Sequence, residues 1–280
     1  AYFKRDMHDA RSKAWHTSFH ASSFPLDDPK ACARKALYGL MNIPSNEPFS
    51  TGGRALMEAG IDIEQRTTDR FQRAGVLLSD VGLSGEQTEF IDKKYWLVGN
   101  VDSIILPPGW NKPHVVEIKT KDHDKVEGMI HGMRGFDPGH RRQLMTYIWF
   151  TRMWHDALGF AERGLKPADD GTIIYISRGR PRTTYEFRIE YDAGAVEQGL
   201  ETLAEWQRLF VNGELPPRDK TWKWTEEPCK WCSVKKLCKA DGKNNISSLD
   251  QSEAIDYAKM IHSGYDYEEV RAIVLERWSN

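Results

Sequence analysis

The stretch that decides the fold is residues 99–120, which read GNVDSII at 99–105 and HVVEIKT at 114–120. Both segments are rich in apolar and β-branched residues, which favours strands, and the Pro-Pro-Gly-Trp run at 107–110 is the only turn signal between them. The midpoint between Asp102 and Glu117 falls inside this turn. A symmetric hairpin therefore sets the two carboxylates opposite each other, roughly 5 Å apart.

The second segment also carries a lysine beside the carboxylates. Because side chains alternate along a strand, Glu117 and Lys119 point to the same face, while Ile118 points into the core. Two facing carboxylates can bind one divalent cation at about 2.0–2.1 Å, and a neighbouring lysine can hold a water or a developing negative charge. This set is typical of metal-assisted phosphodiester hydrolysis. A Glu-x-Lys triplet taken alone is also typical of an ordinary solvated strand end.

The composition is that of a soluble globular protein with one substantial core: 280 residues, 40% hydrophobic and 29% charged. No apolar run approaches the roughly 20 residues that cross a bilayer, and the first residues lack the apolar core of a signal peptide. We therefore predict a cytoplasmic protein without a membrane partner. The net charge of −2 argues against a broad electrostatic grip on nucleic acid and leaves basic patches at 177–182 and 229–243. Each patch is either solvated surface or a local nucleic-acid contact.

The chain has four cysteines, and three of them are clustered. Cys229, Cys232 and Cys238 form C-x2-C-x5-C, whereas Cys32 lies near the other end of the chain. In a cytosolic protein, clustered cysteines favour a metal site over disulfides. Three thiolates leave such a site one ligand short, and Cys32 is the only thiol left to complete it. Four thiolates suit a structural Zn²⁺ or a [4Fe–4S] cluster, with the three-plus-one spacing less usual for zinc. Alternatively, Cys32 is a buried thiol.

The order of the motifs resembles a known family. Cys32 is followed by Asp102, by Glu117 with Lys119, by Gln-Leu-Met-Thr-Tyr at 143–147 and by the cysteine cluster. Together they resemble the RecB-like nucleases that carry an iron–sulfur cluster, within the PD-(D/E)XK superfamily. The closest resemblance is to the CRISPR-associated Cas-four exonucleases, as a stand-alone phage-type relative, and it spans residues 29–240.

This resemblance implies cofactors and a substrate. It implies a [4Fe–4S] cluster held by the four cysteines, a Mg²⁺ or Mn²⁺ site, and exonuclease action on DNA that is single-stranded or has free ends. The cation would be bound by Asp102, Glu117 and the backbone carbonyl of Ile118.

The resemblance also gives roles to three further side chains. Lys119 would position the attacking water. Gln143 and Tyr147, four residues apart on one face of a predicted helix, would order Lys119 and the DNA backbone. Without the resemblance, Tyr147 reads as an ordinary packed tyrosine and Gln143 as a surface residue.

One position departs from the family pattern. The family usually has a histidine ligand on a helix upstream of the aspartate, and here Ile63 stands at that position. Glu64, the next residue, is a candidate carboxylate ligand in its place. It is equally a candidate surface residue of the helix.

The predicted fold is an α/β, restriction-endonuclease-like core with a central mixed sheet flanked by helices, closed by a cysteine-ligated metal-cluster lobe. We divide the chain into an N-terminal segment at 1–28, the nuclease domain at 29–246, and a helical tail at 247–280 that is a possible protein-contact module. Helices are predicted at 30–41, 53–75, from 138 onward, and 192–212, and strands at 86–90, 95–105, 114–120, 171–177 and 184–190.

Two other functions fit parts of the sequence. One is a non-catalytic DNA- or partner-binding module with a decayed nuclease core, and the other is a zinc-bearing RNA-processing nuclease. The intact set of Asp102, Glu117 and Lys119 disfavours decay. Trp222, Trp224 and Trp231 surround the cysteine segment, where they either shield a metal centre or stack on unpaired bases, at roughly 1–3 kcal/mol per base.

Overall fold

The computed structural model describes residues 18–26, 31–43, 51–78, 88–179, 182–219, 221–226, 228–240 and 255–256. Within these residues the strands are β1 (Phe19–His20), β2 (Thr88–Asp92), β3 (Leu97–Val101), β4 (Ser103–Ile105), β5 (His114–Lys121), β6 (Asp170–Ser177) and β7 (Thr184–Glu190). The helices are α1 (Ala33–Leu40), α2 (Thr51–Arg73), α3 (His123–Ile130), α4 (Pro138–Met153), α5 (Ala193–Val211) and α6 (Lys235–Ala240).

The strands form two sheets. The larger has the order β4-β5-β6-β7, in which β5 and β6 are parallel and the outer pairs are antiparallel. The smaller has the order β1-β3-β2, with β1 parallel to β3. The predicted mixed α/β architecture is confirmed. The prediction of one strand over 95–105 in one central sheet is wrong, because the chain bends at Asp102 and passes from the small sheet into the large one.

Helices cover both faces of β5 and β6, which is why most of β5 is buried. On one face, α4 packs closely on the sheet: a Cβ added at Gly171 of β6 would lie 2.7 Å from Leu144 Cδ1 and 3.3 Å from Ile148 Cδ1. On the other face, Ile63 of α2 packs in an apolar cluster with β5 and β6. Since β5 and β6 are parallel, the chain between them crosses over through α3 and α4.

Local signals fix the start of α4 and the end of α2. Asp137 caps α4 by accepting a hydrogen bond from the backbone N–H of Gly139 at 2.9 Å, with Pro138 at the first helical position. The chain leaves α2 through Gly75, whose φ of +69° is the left-handed conformation that favours glycine.

The described part of the predicted N-terminal segment packs against the rest of the chain. Phe19, Phe24 and Leu26 are buried in the main core, and Phe19 lies edge-on to Trp206 at 5.9 Å. The domain boundaries stay a prediction. Of the helical tail predicted at 247–280, all but 255–256 falls outside the described residues. None of the helices in the described ranges has the length and apolar character to span a membrane.

Candidate active site

The predicted hairpin is present with the predicted register. Ser103 pairs with Val116, and Ile105 pairs with His114. One further step along this register brings Asp102 opposite Glu117. Both side chains are removed from solvent, with Asp102 8% exposed and Glu117 0% exposed.

Asp102 extends the hairpin with its side chain. Its Oδ2 accepts a hydrogen bond from the backbone N–H of Ile118 at 2.7 Å, beyond the point where β4 begins. Burial raises the pKa of Asp102, which the positive charge of Lys119 and the Ile118 hydrogen bond oppose. Burial, followed by the charge of Asp102, raises the pKa of Glu117 well above its usual value. The pair therefore resists carrying two negative charges without a nearby cation.

Lys119 supplies one positive charge to this pair. Its ammonium forms an ion pair with Glu117, as expected for side chains two residues apart on one strand face. Burial lowers the pKa of Lys119, but the charges of Glu117 and Asp102 outweigh burial and raise it overall. Lys119 is therefore protonated at neutral pH.

The buried carboxylate of Glu117 is incompletely satisfied. Within the described residues, its Oε2 has no hydrogen-bond partner. In the same ranges, no group of three or more His, Cys, Asp or Glu side chains is arranged to hold a metal ion. The hairpin thus presents two carboxylates, one of them with an oxygen atom available, rather than a closed protein cage.

Helix α2 brings Glu64 to the site and keeps Ile63 away from it. Ile63 is 5% exposed and lies in the apolar cluster under β5, so the position of the family's histidine is a core position here. The negative charge of Glu64 contributes to the raised pKa values of both Glu117 and Lys119. Glu64 therefore lies within electrostatic reach of the pair. Its role as a ligand stays a prediction.

Gln143 and Tyr147 lie on the site side of α4. Gln143 Nε2 donates a hydrogen bond to the Tyr147 hydroxyl at 2.9 Å. Burial raises the pKa of Tyr147 well above its usual value, and the charges of Glu117 and Asp102 add to this. Tyr147 thus stays protonated beside the carboxylates, and Gln143 fixes its hydroxyl.

The packing of Tyr147 depends on a glycine, and this gives a first prediction. A Cβ at Gly99 would lie 2.6 Å from the Tyr147 ring and 3.0 Å from the Ala21 side chain. Gly99→Ala should lower the free energy of unfolding by about 1–3 kcal/mol through overpacking, and should reduce activity because Tyr147 is displaced. Urea denaturation measures the loss. Gly52→Ala is the control, since a Cβ there meets nothing within 4 Å; equal stability of Gly99→Ala and the native chain would contradict the prediction.

A second polar pair at this site was not found from the sequence. The Tyr175 hydroxyl contacts His140 Nδ1 at 2.8 Å and accepts a hydrogen bond from the backbone N–H of Asp137 at 3.0 Å. Burial raises the pKa of Tyr175 to about 12. Burial lowers the pKa of His140 to about 4, with Asp137 opposing and Lys119 adding to the decrease. The sequence signal that could have identified this pair is the position of His140, three residues before Gln143 on the same helix.

The structure places Cys32 beside the three clustered cysteines. All four line one cavity of about 20 Å³. Burial raises the pKa of Cys32, and the other three cysteines add to the increase. The thiols therefore converge on one place, although their arrangement does not form a metal-binding group within the described residues. A metal centre there stays a prediction.

The three tryptophans near the cysteines have different surroundings. Trp222 and Trp224 line the cysteine cavity. Trp231 is 75% exposed, with the ammonium of Lys230 at 4.8 Å from the centre of its ring. The first two are placed to shield the cavity, whereas Trp231 faces solvent.

Two solved structures of an alkaline exonuclease are similar to this chain. An alkaline exonuclease, LHK-Exo from Laribacter hongkongensis, is similar in structure, with 13% sequence identity and a TM-score of 0.40 over 71% of this chain and 95% of that chain. LHK-Exo in complex with dAMP gives 15% identity and a TM-score of 0.43 over 71% and 97% of the two chains. None of the curated proteins matches this chain.

The sequence model of the PD-(D/E)XK nuclease superfamily matches residues 23–239. This range covers most of the chain. It contains every strand of the described residues except β1, the Asp102–Glu117–Lys119 set and all four cysteines. The chain therefore belongs to the PD-(D/E)XK nuclease superfamily.

Proposed function

We propose that the protein is a metal-dependent DNA exonuclease of the Cas-four type, which hydrolyses phosphodiester bonds in single-stranded DNA or at DNA ends. The observation that carries this proposal is the buried Asp102–Glu117 pair with Lys119 in ion-pair contact. Superfamily membership supports nuclease chemistry. The proposals that the substrate is DNA and that cleavage occurs at its ends come from the resemblance to the Cas-four family.

The hairpin suits a Mg²⁺ or Mn²⁺ ion. A buried carboxylate oxygen that lacks a partner is costly unless a cation or hydrogen bond compensates it, and Glu117 Oε2 is such an atom within the described residues. The ion would be held by Asp102, Glu117 and the carbonyl of Ile118. Mg²⁺ in phosphoryl-transfer sites is typically bound by one or two carboxylates, with waters and substrate phosphates completing the shell. Two carboxylates therefore suffice.

The protein side chains then divide the chemistry between them. A bound cation would lower the pKa of a water ligand and offset charge on the phosphate. Lys119, which stays protonated beside Glu117, would hold the attacking water and stabilise the negative charge on phosphorus. Tyr147, fixed by Gln143, would present its hydroxyl to Lys119 or to the DNA backbone.

The test is cleavage of end-labelled substrates by the purified 280-residue chain. Single-stranded DNA, double-stranded DNA and RNA are each incubated with Mg²⁺, Mn²⁺ or a chelator. We expect progressive shortening of DNA from an end, only with metal. Cleavage that persists in chelator, or that is confined to RNA, would overturn the proposal.

A second prediction concerns Glu64. As an additional ligand, Glu64→Gln should weaken metal affinity and shift the ratio of Mn²⁺- to Mg²⁺-supported activity, because the amide carries no charge. Glu58→Gln, an exposed residue of the same helix, is the matched control. Metal titrations that are the same for both variants would show that Glu64 is a surface residue of the helix and not a metal ligand.

We further propose that the four cysteines hold a [4Fe–4S] cluster with a structural role. Supporting this, four thiols from both ends of the described chain line one cavity, and four thiolates are the ordinary ligand set of such a cluster. Iron and sulfide content with brown colour would support the cluster, whereas a colourless protein with zinc would replace it by a zinc site.

The tail at 247–280 is retained as a candidate contact for a protein partner. Apart from 255–256, this segment lies outside the described residues. The proposal therefore rests on the sequence of that segment.

A further inference from the structure

Helix α4 carries a polar stripe of three residues on the side of the candidate site. His140, Gln143 and Tyr147 are spaced i, i+3 and i+7, which places them on one helix face. Gln143 and Tyr147 already have proposed roles. His140 lies in the first turn of the helix, nearest to solvent, and has none.

The position of His140 relative to Lys119 follows from the strand register. Tyr175 of β6 pairs with Lys119 of β5, and paired residues in a parallel sheet point to the same face. The Tyr175 hydroxyl contacts His140 Nδ1 at 2.8 Å. The charge of Lys119 acts on both groups. His140 thus contacts Tyr175, which is the direct neighbour of Lys119 on the adjacent strand.

Hydrogen bonding fixes which nitrogen of His140 carries the proton. Tyr175 is 0% exposed, so its hydroxyl hydrogen must find an acceptor within the protein. The backbone N–H of Asp137 already donates to the hydroxyl oxygen at 3.0 Å. The hydroxyl therefore donates to His140 Nδ1, its remaining partner among the described residues. With Nδ1 as acceptor, the neutral imidazole carries its hydrogen on Nε2.

This arrangement leaves His140 as a neutral donor near two cationic side chains. Its lowered pKa, of about 4, keeps the ring uncharged at neutral pH. Lys119 lies beyond Tyr175, and the ammonium of Lys121 lies 3.6 Å from the Asp137 carboxylate. The N-terminus of α4 adds the partial positive charge of a helix end. Because Glu117 and Asp137 pair with these two cations, the Nε2 donor is the feature that selects the ligand, and it requires a hydrogen-bond acceptor such as a phosphate oxygen.

We propose that His140 donates from Nε2 to a backbone phosphate of the nucleic acid next to the scissile phosphate, and that Tyr175 is its positioning residue. The inference rests on the proposed function and adds a contact that the superfamily motif does not contain. His140 thereby sets where the strand lies relative to Lys119.

The first experiment measures binding of a labelled single-stranded oligonucleotide, with Ca²⁺ in place of Mg²⁺ to suppress cleavage. His140→Ala should weaken affinity by about 10- to 100-fold, the range for a hydrogen bond to a charged group. His140→Gln should restore most of the affinity, because its amide nitrogen can replace Nε2 as a donor. Tyr175→Phe should give an intermediate loss, since Nδ1 loses its partner. His131→Ala is the control, since His131 is 63% exposed, and should bind normally.

The second experiment locates the contact on the DNA. Oligonucleotides with a single uncharged methylphosphonate, moved one position at a time, are compared on the native chain and on His140→Ala. At the contacted phosphate the methylphosphonate should weaken native binding and leave His140→Ala unaffected, because the two changes remove the same hydrogen bond. At other contacted phosphates both proteins should lose affinity equally.

The outcomes separate the two proposals. A native chain that binds no DNA overturns the proposed function and this inference with it. Native binding with an unchanged His140→Ala, or with additive methylphosphonate effects at every position, overturns the inference alone. If His140→Ala unfolds, the same comparison is made with Tyr175→Phe, which keeps the packed ring. A methylphosphonate profile that is the same for Tyr175→Phe and the native chain then overturns the inference.

Discussion

Glu117→Gln and Asp102→Asn are each expected to lower the rate of DNA cleavage by about a thousandfold or more, because the cation loses a charged ligand and with it both water activation and charge stabilisation. Asn at 102 can still accept the hydrogen bond from the Ile118 N–H, so this variant removes charge while keeping the hairpin contact. Lys119→Ala should give a loss of the same order. Initial rates on end-labelled DNA with Mg²⁺ measure the effect.

The controls separate lost chemistry from lost folding. Glu186→Gln changes an exposed glutamate on β7 and should leave the rate unaltered. Thermal unfolding in the absence of metal should show that Asp102→Asn and Glu117→Gln stay folded. Wild-type rates in the three site variants would show that the hairpin is not the catalytic site.

Cys32→Ser should strip the proposed metal centre as completely as Cys232→Ser, although Cys32 lies far from the other cysteines in the sequence. A centre of this kind assembles with the fold, since its thiolates must be deprotonated and brought together at once. Its loss should also lower stability, because Cys32 precedes α1 while the other three cysteines lie at 229–238, and the proposed centre would link the two segments. Metal content, sulfide content and the unfolding midpoint are the measurements.

Ser233→Ala is the matched control for this prediction. It changes a residue of the same segment, next to Cys232, without touching a thiol, and should keep full metal content. If Cys32→Ser keeps full metal content as well, then Cys32 is only a buried thiol beside a three-cysteine site. Residual nuclease activity in Cys32→Ser is compatible with the prediction, because the hairpin contains no cysteine.

The hairpin was predictable because its information is local. The turn at 107–110 and the alternation of β5 are enough to set Asp102 opposite Glu117, and the observed pairing follows that register. The N-terminal cap of α4 and the exit of α2 at Gly75 depend on local signals for the same reason. Each depends on neighbouring residues with known conformational preferences.

Other elements were not predictable, because their partners are distant in the chain. β1 has two residues and exists through parallel pairing with β3, some eighty positions later. The passage from one sheet to the other at Asp102 depends on both sheets being in place. Helix α3 is short and contains Gly128, so its own sequence gives a weak helix signal.

The charged residues of the site were predictable from the sequence. The placement of the residues around them was not. Glu64 could be named as a candidate, but the orientation of α2 over β5 decides whether it faces Glu117, and a helix pattern alone does not give that orientation. Tyr175 resembled any core tyrosine until the register placed it beside Lys119. The fit of Tyr147 against Gly99 likewise emerged only from packing.

The single residue that joins β3 to β4 has a consequence for sequences related to this one. Because side chains alternate along strands, an insertion or deletion between Val101 and Ser103 would turn one strand over relative to the other and carry Asp102 away from Glu117. The turn at 107–110 is under no such constraint, since extra residues at its tip leave the paired positions unchanged. Natural variation in chain length should therefore accumulate at the tip of the hairpin and be absent at its base.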